Sequence, residues 1–193
     1  MKLGIMGGTF NPPHVGHLII ASEVYSIFEL ARLIFIPAGD PPHKENRQII
    51  EAPHRIEMIR LAIWKDSRFE VSDIELKRKG KSYTIDTIRQ IREFYGKEVE
   101  IYFIAGTDSA LDLPTWREPL KILSLVHFVA VKRPGFPLRR LDKQYKRRII
   151  PVEHISLNIS SSDIRRRIRE GRPIKYLVPE AVEEYIRKNR LYL

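Results

Sequence analysis

Cysteine is absent from the 193 residues. That excludes disulfides, thiol nucleophiles and thiolate metal sites. No apolar run approaches the roughly 18–20 residues a membrane span requires. The apolar stretch ahead of Gly7 and Gly8 is too short for the core of a signal peptide, so a cytoplasmic protein is expected. Internal repeats, low-complexity tracts and linkers are also missing, which points to one folded unit over residues 1–193. Asn and Gln are scarce, at four and three, while Arg, Glu and Lys abound. This balance suggests a heat-adapted source, and a melting temperature in the ordinary mesophile range would speak against it. What is present in surplus is positive charge. The 34 Lys and Arg against 24 Asp and Glu leave a net charge of +10. Such a chain attracts polyanions: nucleic acid, acidic membranes or phosphorylated small molecules. Much of the surplus lies in residues 132–148 and 165–172; the plain alternative is that these are solvated helix faces.

Apolar residues make up 43% of the chain and charged residues 30%, an ordinary globular balance. Buried strands are expected at residues 2–6, 32–37, 98–105 and 125–131, a half-exposed strand at 69–76 and one more at 149–155. Helical periods run from Gly16 to Phe28, through residues 53–65 and through 84–95, where Gly96 suits the position after a helix end. Two further helices, 161–170 and 179–189, make a small C-terminal helical part beginning near residue 156. Strands alternating with helices predict an α/β fold: a Rossmann-like, doubly wound, mainly parallel sheet with helices on both faces. Ligands of such sheets sit beyond the carboxyl ends of the strands, where strand order reverses.

The loops at those ends hold the unusual clusters. Gly7-Gly8-Thr9-Phe10-Asn11-Pro12-Pro13-His14-Val15-Gly16-His17 joins the first strand to the first helix. Glycines let backbone N–H groups approach a phosphate, and the helix start adds unpaired donors and partial positive charge. The segment lacks the Gly-Lys-Ser/Thr of a P-loop and the spacing of a dinucleotide fingerprint. In place of a lysine it carries His14 and His17, three apart and on one helix face. Two imidazoles there can donate to phosphate oxygens and stabilise charge as it builds. The plain alternatives are a capping histidine, a tight Gly-Gly turn, or a metal pair with no evident third ligand. Near the other end, Ile159-Ser160-Ser161-Ser162-Asp163-Ile164-Arg165 places N-cap hydroxyls and a first-turn guanidinium before another helix. An ordinary cap with solvated arginines is the competing reading, and it is preferred for Arg166, Arg167 and Arg169.

The first segment resembles the His-x-Gly-His signature of the nucleotidyltransferase superfamily. In its fuller form it is similar to the bacterial nicotinate-nucleotide adenylyltransferases. The second resembles that family's Ile-Ser-Ser-Thr-x-x-Arg motif, with Ser162 where Thr is common. The resemblance implies that Gly7, Gly8, Thr9, Phe10, His14, Gly16 and His17 bind ATP. It implies that Ile159, Ser160, Ser161 and Arg165 close over its phosphates. Pro41-Pro42-His43-Lys44 is also family-like, which would bring Lys44 to the triphosphate; taken alone it reads as a surface lysine. Gly106 and Asp108, after a core strand, fit a ribose-binding turn. Ser82-Tyr83-Thr84 and Trp116 resemble the mononucleotide pocket, the turn holding the pyridine carboxylate and the indole stacking on the ring. The bland readings are an N-cap with a packed tyrosine, and a core tryptophan. Arg133-Pro134-Gly135 matches the family with no role assigned.

The reaction implied is attack of the nicotinate mononucleotide phosphate on the α-phosphorus of ATP, with His14, His17, Lys44 and Arg165 as catalytic residues. Mg²⁺ is expected as cofactor, bound chiefly through ATP phosphates with no protein-held metal site. The expected partners are these two small-molecule substrates, with no nucleic acid and no membrane; a homo-oligomer is left open. Rival readings are a pantetheine-phosphate adenylyltransferase, an amide-preferring nicotinamide-nucleotide adenylyltransferase and a basic RNA-binding domain. The last predicts aromatics interleaved with the basic strip, and residues 165–172 contain none.

Overall fold

Strand β1 (Lys2–Gly8) is apolar toward both sides, as befits the centre of a parallel sheet. The computed structural model describes residues 1–40, 49–153 and 157–193. In chain order β1 is followed by α1 (Val15–Ile27), β2 (Arg32–Pro37), α2 (Ala52–Ile63), β3 (Phe69–Val71) and α3 (Thr84–Tyr95). The second half runs β4 (Glu100–Gly106), α4 (Thr107–Asp112), α5 (Pro119–Leu125), β5 (His127–Val131), α6 (Lys143–Lys146), β6 (Ile149–Val152), α7 (Ser161–Arg169) and α8 (Glu180–Lys188). The six strands form one sheet in the order β3-β2-β1-β4-β5-β6, and every pairing is parallel. Strand order reverses between β1 and β4, so the crevice at their carboxyl ends is where a ligand is expected.

Alternation along the strands builds two cores. Leu3, Ile5, Ile101, Phe103 and Phe128 face one way and pack with Ile85, Ile88 and Ile122 of α3 and α5. Met6, Leu33, Phe35, Tyr102, Ile104 and Val129 face the other way and meet Ala21 and Val24 of α1 and Ile59 of α2. Each fully buried Leu or Ile stabilises the fold by roughly 1.5–3 kcal/mol. Helices therefore cover both faces, as expected of a doubly wound sheet. A third cluster joins Met58 of α2 to Ile164, Val182 and Ile186, and so docks α7 and α8 beside the sheet. Among the described residues no helix is long and apolar enough to cross a membrane.

Three expectations need correction. The strand expected at 69–76 stops at Val71. Its ladder closes with Ser72 N–H donating to Phe35 O, and Pro37 has no N–H with which to extend it. Residues 73–77 instead form a turn in which Asp73 O accepts from Leu76 and Lys77. The strand expected from Leu125 begins at His127, because Leu125 still belongs to α5, which Pro119 opens. The Gly106–Asp108 segment is a strand-to-helix joint rather than a free turn, since Thr107 already begins α4. Beyond Val152, part of the strand expected at 149–155 lies outside the described residues.

Candidate active site

The loop between β1 and α1 is built around Phe10. Its backbone sits at φ 50°, in the left-handed region, and its ring is 2% exposed. That ring meets Phe35 at 5.7 Å and the edge of His17 at 4.9 Å between centroids. His14 occupies the N-cap of α1 and His17 its third position. The two imidazoles stack with centroids 3.7 Å apart and planes 24° from parallel. Gly16 permits this arrangement, because a β-carbon there would stand 3.0 Å from the His14 ring. His17 Nδ1 accepts from His14 N–H at 3.1 Å, which places the hydrogen of a neutral His17 on Nε2.

Burial sets the charge of this pair. His14 is 7% exposed, and its Nδ1 has no hydrogen-bond partner among the described residues. Burial, reinforced by the nearby Arg133 guanidinium, lowers its pKa to about 4. Burial, His14 and Arg133 likewise hold His17 well below the usual imidazole value. At neutral pH both rings are uncharged donors and acceptors set among guanidinium groups.

The start of α7 closes onto this loop. Ser160 caps the helix by accepting from Asp163 N–H at 3.1 Å. Ser161 Oγ donates to Pro12 O at 2.8 Å, and Arg165 Nη1 donates to Asn11 O at 2.8 Å. Segments about 150 positions apart are thereby joined by hydrogen bonds. A third wall comes from the ends of β4 and β5. Asp108 forms an ion pair with Arg133, whose backbone N–H donates to Thr107 Oγ1 at 3.0 Å. A β-carbon at Gly106 would crowd the Asp108 carboxylate, which would have to turn aside.

These walls enclose a cleft of about 650 Å³, within the range of small-molecule sites. Gly7, Gly8, Thr9, Phe10, His14, Gly16, His17, Gly106, Asp108, Ile159, Ser160, Ser161 and Arg165 all line it. Lys44 lies outside the described residues. Ser82, Tyr83, Thr84 and Trp116 do not line the cleft. Ser82 is tied to the loop after β2, its Oγ accepting from Asp40 N–H at 3.2 Å. Tyr83 caps α3, with the Arg117 guanidinium 5.0 Å from its ring centre. Trp116 is partly exposed and packs against Phe103 and Phe128 at 6.0 and 6.1 Å. The same Phe103 ring lies 3.3 Å from where a β-carbon of Gly7 would stand, so the Trp116 neighbourhood adjoins the cleft.

Two residues were missed by the reading of the sequence. Arg133 lines the cleft, and its only signal was the Arg-Pro-Gly after a strand. Arg55 of α2 is 2% exposed and donates to Thr9 O at 3.0 Å and Ala38 O at 2.7 Å, clamping two strand-end loops together. An arginine on an otherwise apolar helix face was the available hint. Among the described residues no three His, Cys, Asp or Glu converge as a metal cage, and the cleft carboxylate Asp108 is engaged by Arg133. The donors suit an anion and a metal that arrives on it.

Known proteins resemble this chain over nearly its whole length. A model of the cytidylyltransferase-like family matches residues 5–167. A probable nicotinate-nucleotide adenylyltransferase of Thermoanaerobacter sp. (strain X514) is 47% identical over 199 residues, covering 100% of this chain and 94% of the relative. Another, from Moorella thermoacetica, is 46% identical over 99% of this chain and 91% of its own length. The solved nicotinic acid mononucleotide adenylyltransferase of Plasmodium falciparum, complexed with NaAD, superposes with a TM-score of 0.81. It covers 99% of this chain and 97% of that one at 21% identity, a likeness of fold.

Proposed function

The chain belongs to the cytidylyltransferase-like family, among the nicotinate-nucleotide adenylyltransferases, and from that premise we propose how its residues divide the work. The enzyme joins ATP and nicotinate mononucleotide to give nicotinate adenine dinucleotide and pyrophosphate, a step of NAD biosynthesis. The mononucleotide phosphate is already an anionic nucleophile at neutral pH. It forms a bond to the α-phosphorus of ATP as the bond to the bridging oxygen breaks, and pyrophosphate leaves with the electron pair. No proton need be removed, so the protein contributes positioning and charge stabilisation.

We assign the triphosphate to the Gly7–Phe10 backbone, His14, His17, Ser160, Ser161 and Arg165, with Lys44 as a further cation. The neutral imidazoles donate hydrogen bonds without an ion-pairing desolvation cost, and Arg165 contributes the fixed charge. Gly16 and Ile159 shape the wall between the two helix starts, and Gly106 and Asp108 hold the ribose. Ser82, Tyr83 and Thr84 take the pyridine carboxylate at the start of α3, and the partly exposed Trp116 indole stacks on the ring. Mg²⁺ carried by the ATP phosphates would neutralise charge between them.

The observation that carries this assignment is the Arg165–Asn11 and Ser161–Pro12 pair of hydrogen bonds, which brings the late arginine to the early histidines. The test is pyrophosphate release from Mg-ATP with the acid mononucleotide, the amide mononucleotide and phosphopantetheine in parallel. The acid is expected to turn over fastest. Preference for phosphopantetheine, or steep salt-dependent RNA binding without turnover, would overturn the assignment.

A further inference from the structure

The first loop is held by donors from three separate parts of the chain. Arg55 and Arg165 supply two of them, to Thr9 O and Asn11 O. The third is Tyr192, 181 positions from its partner, whose hydroxyl donates at 3.0 Å to Asn11 Oδ1, an oxygen that also accepts a longer bond from Ile50 N–H at 3.4 Å. Its backbone lies at φ 69°, a region side chains with a β-carbon rarely occupy, so the surrounding packing holds it there. That packing is the α7–α8 cluster, in which Leu191 is buried and Tyr192 partly so. The phenol is also within electrostatic reach of both guanidinium groups. Neither Arg55 nor Arg165 forms an ion pair among the described residues.

The chemistry of the donor matters. A carboxylate between two arginines would pair with them and remove their charge from the cleft. A neutral phenol fixes the loop by one hydrogen bond and leaves both charges in place. Burial also raises the phenol's pKa far above its ordinary value, so it remains a donor throughout any working pH. We propose that Tyr192 is a positioning residue for adenylyl transfer: its hydroxyl fixes Asn11, and the Asn11 carbonyl in turn aims Arg165 into the cleft without neutralising it. This rests on the assignment of Arg165 to the triphosphate.

A double-mutant cycle of Tyr192→Phe and Arg165→Ala in the full chain tests the link. Tyr192→Phe should lower kcat about tenfold while moving KM for ATP by less than about threefold. In the Arg165→Ala background the same change should alter kcat by less than about twofold, because its effect passes through a group already gone. Additive losses, or wild-type kcat in Tyr192→Phe, would overturn the proposal. Should Tyr192→Phe lower the melting temperature, calorimetric binding of inorganic tripolyphosphate below that transition gives a second readout. Binding should weaken by about twofold to threefold in Tyr192→Phe, and Arg165→Ala and the double variant should bind alike. Equal binding by wild type and Tyr192→Phe would overturn the link. If the cycle is coupled in tripolyphosphate binding but the wild type forms no dinucleotide, the link stands and the assigned reaction falls.

Discussion

His17 uses one ring nitrogen to close the start of α1 and keeps the other for the cleft. On the assignment proposed above, removing it takes away a donor to phosphate and a helix-start contact together. His17→Ala should lower kcat by about 10²-fold or more, by analogy with a lost oxyanion donor, and raise KM for ATP much less. Steady-state kinetics check this, and an unchanged kcat removes His17 from the transition state. His14 carries a pH prediction. Its pKa falls from 6.5 in the unfolded chain to about 4 in the folded one. The unfolded chain then binds more protons between those values, so stability is intact above pH 6.5 and declines as pH falls toward 4. The loss approaches about 3 kcal/mol at the acid end. Urea titrations from pH 7 to 4 should show this decline in the wild type and a smaller one in His14→Asn. The histidine pair was visible in the sequence, because residues three apart at a helix start share a face. Their depressed pKa values were not visible, because burial and Arg133 impose them through space.

At the scale of elements, the site depends on how α7 meets the β1–α1 loop. The Ser161 hydroxyl is the direct stitch between them, donating to Pro12 O. Ser161→Ala should cost about 1 kcal/mol of stability and lower kcat/KM for ATP several-fold. Ser160→Ala, which removes the cap of α7 along with a hydroxyl assigned above to the triphosphate, should cost about as much stability. Thermal melts alongside kinetics check the stitch: an unchanged kcat/KM in Ser161→Ala despite the expected stability loss would mean that it is structural only. Helices α3 and α7 were legible because each carries a clear apolar stripe, and α7 a capping serine as well. Helices α4, α5 and α6 have six, seven and four residues, too few turns to show a period. That is why the Gly106–Asp108 segment reads as a turn in the sequence but starts a helix in the fold.

At the scale of the whole molecule, the net charge of +10 acts on two anionic substrates. Steering of this kind fades as the Debye length shrinks from roughly 30 Å at 0.01 M salt to 8 Å at 0.15 M. We expect kcat/KM for both substrates to fall several-fold over that range while kcat at saturation changes little. Stopped-flow or initial-rate measurements across a KCl series check it, and a flat kcat/KM would assign the surplus charge elsewhere. The amino-acid sequence by itself determined the long helices and core strands, the glycine and histidine chemistry of the first loop, and the hydroxyl and guanidinium chemistry near residue 160. These follow from period, capping and residue type, which act over a few positions. Only the tertiary structure decided that the two segments meet, that Arg133 and Arg55 belong to the same neighbourhood, and that Tyr192 touches the loop. Strand order and long-range burial set those contacts, and desolvation and Coulomb interactions depend on distance in space rather than along the chain.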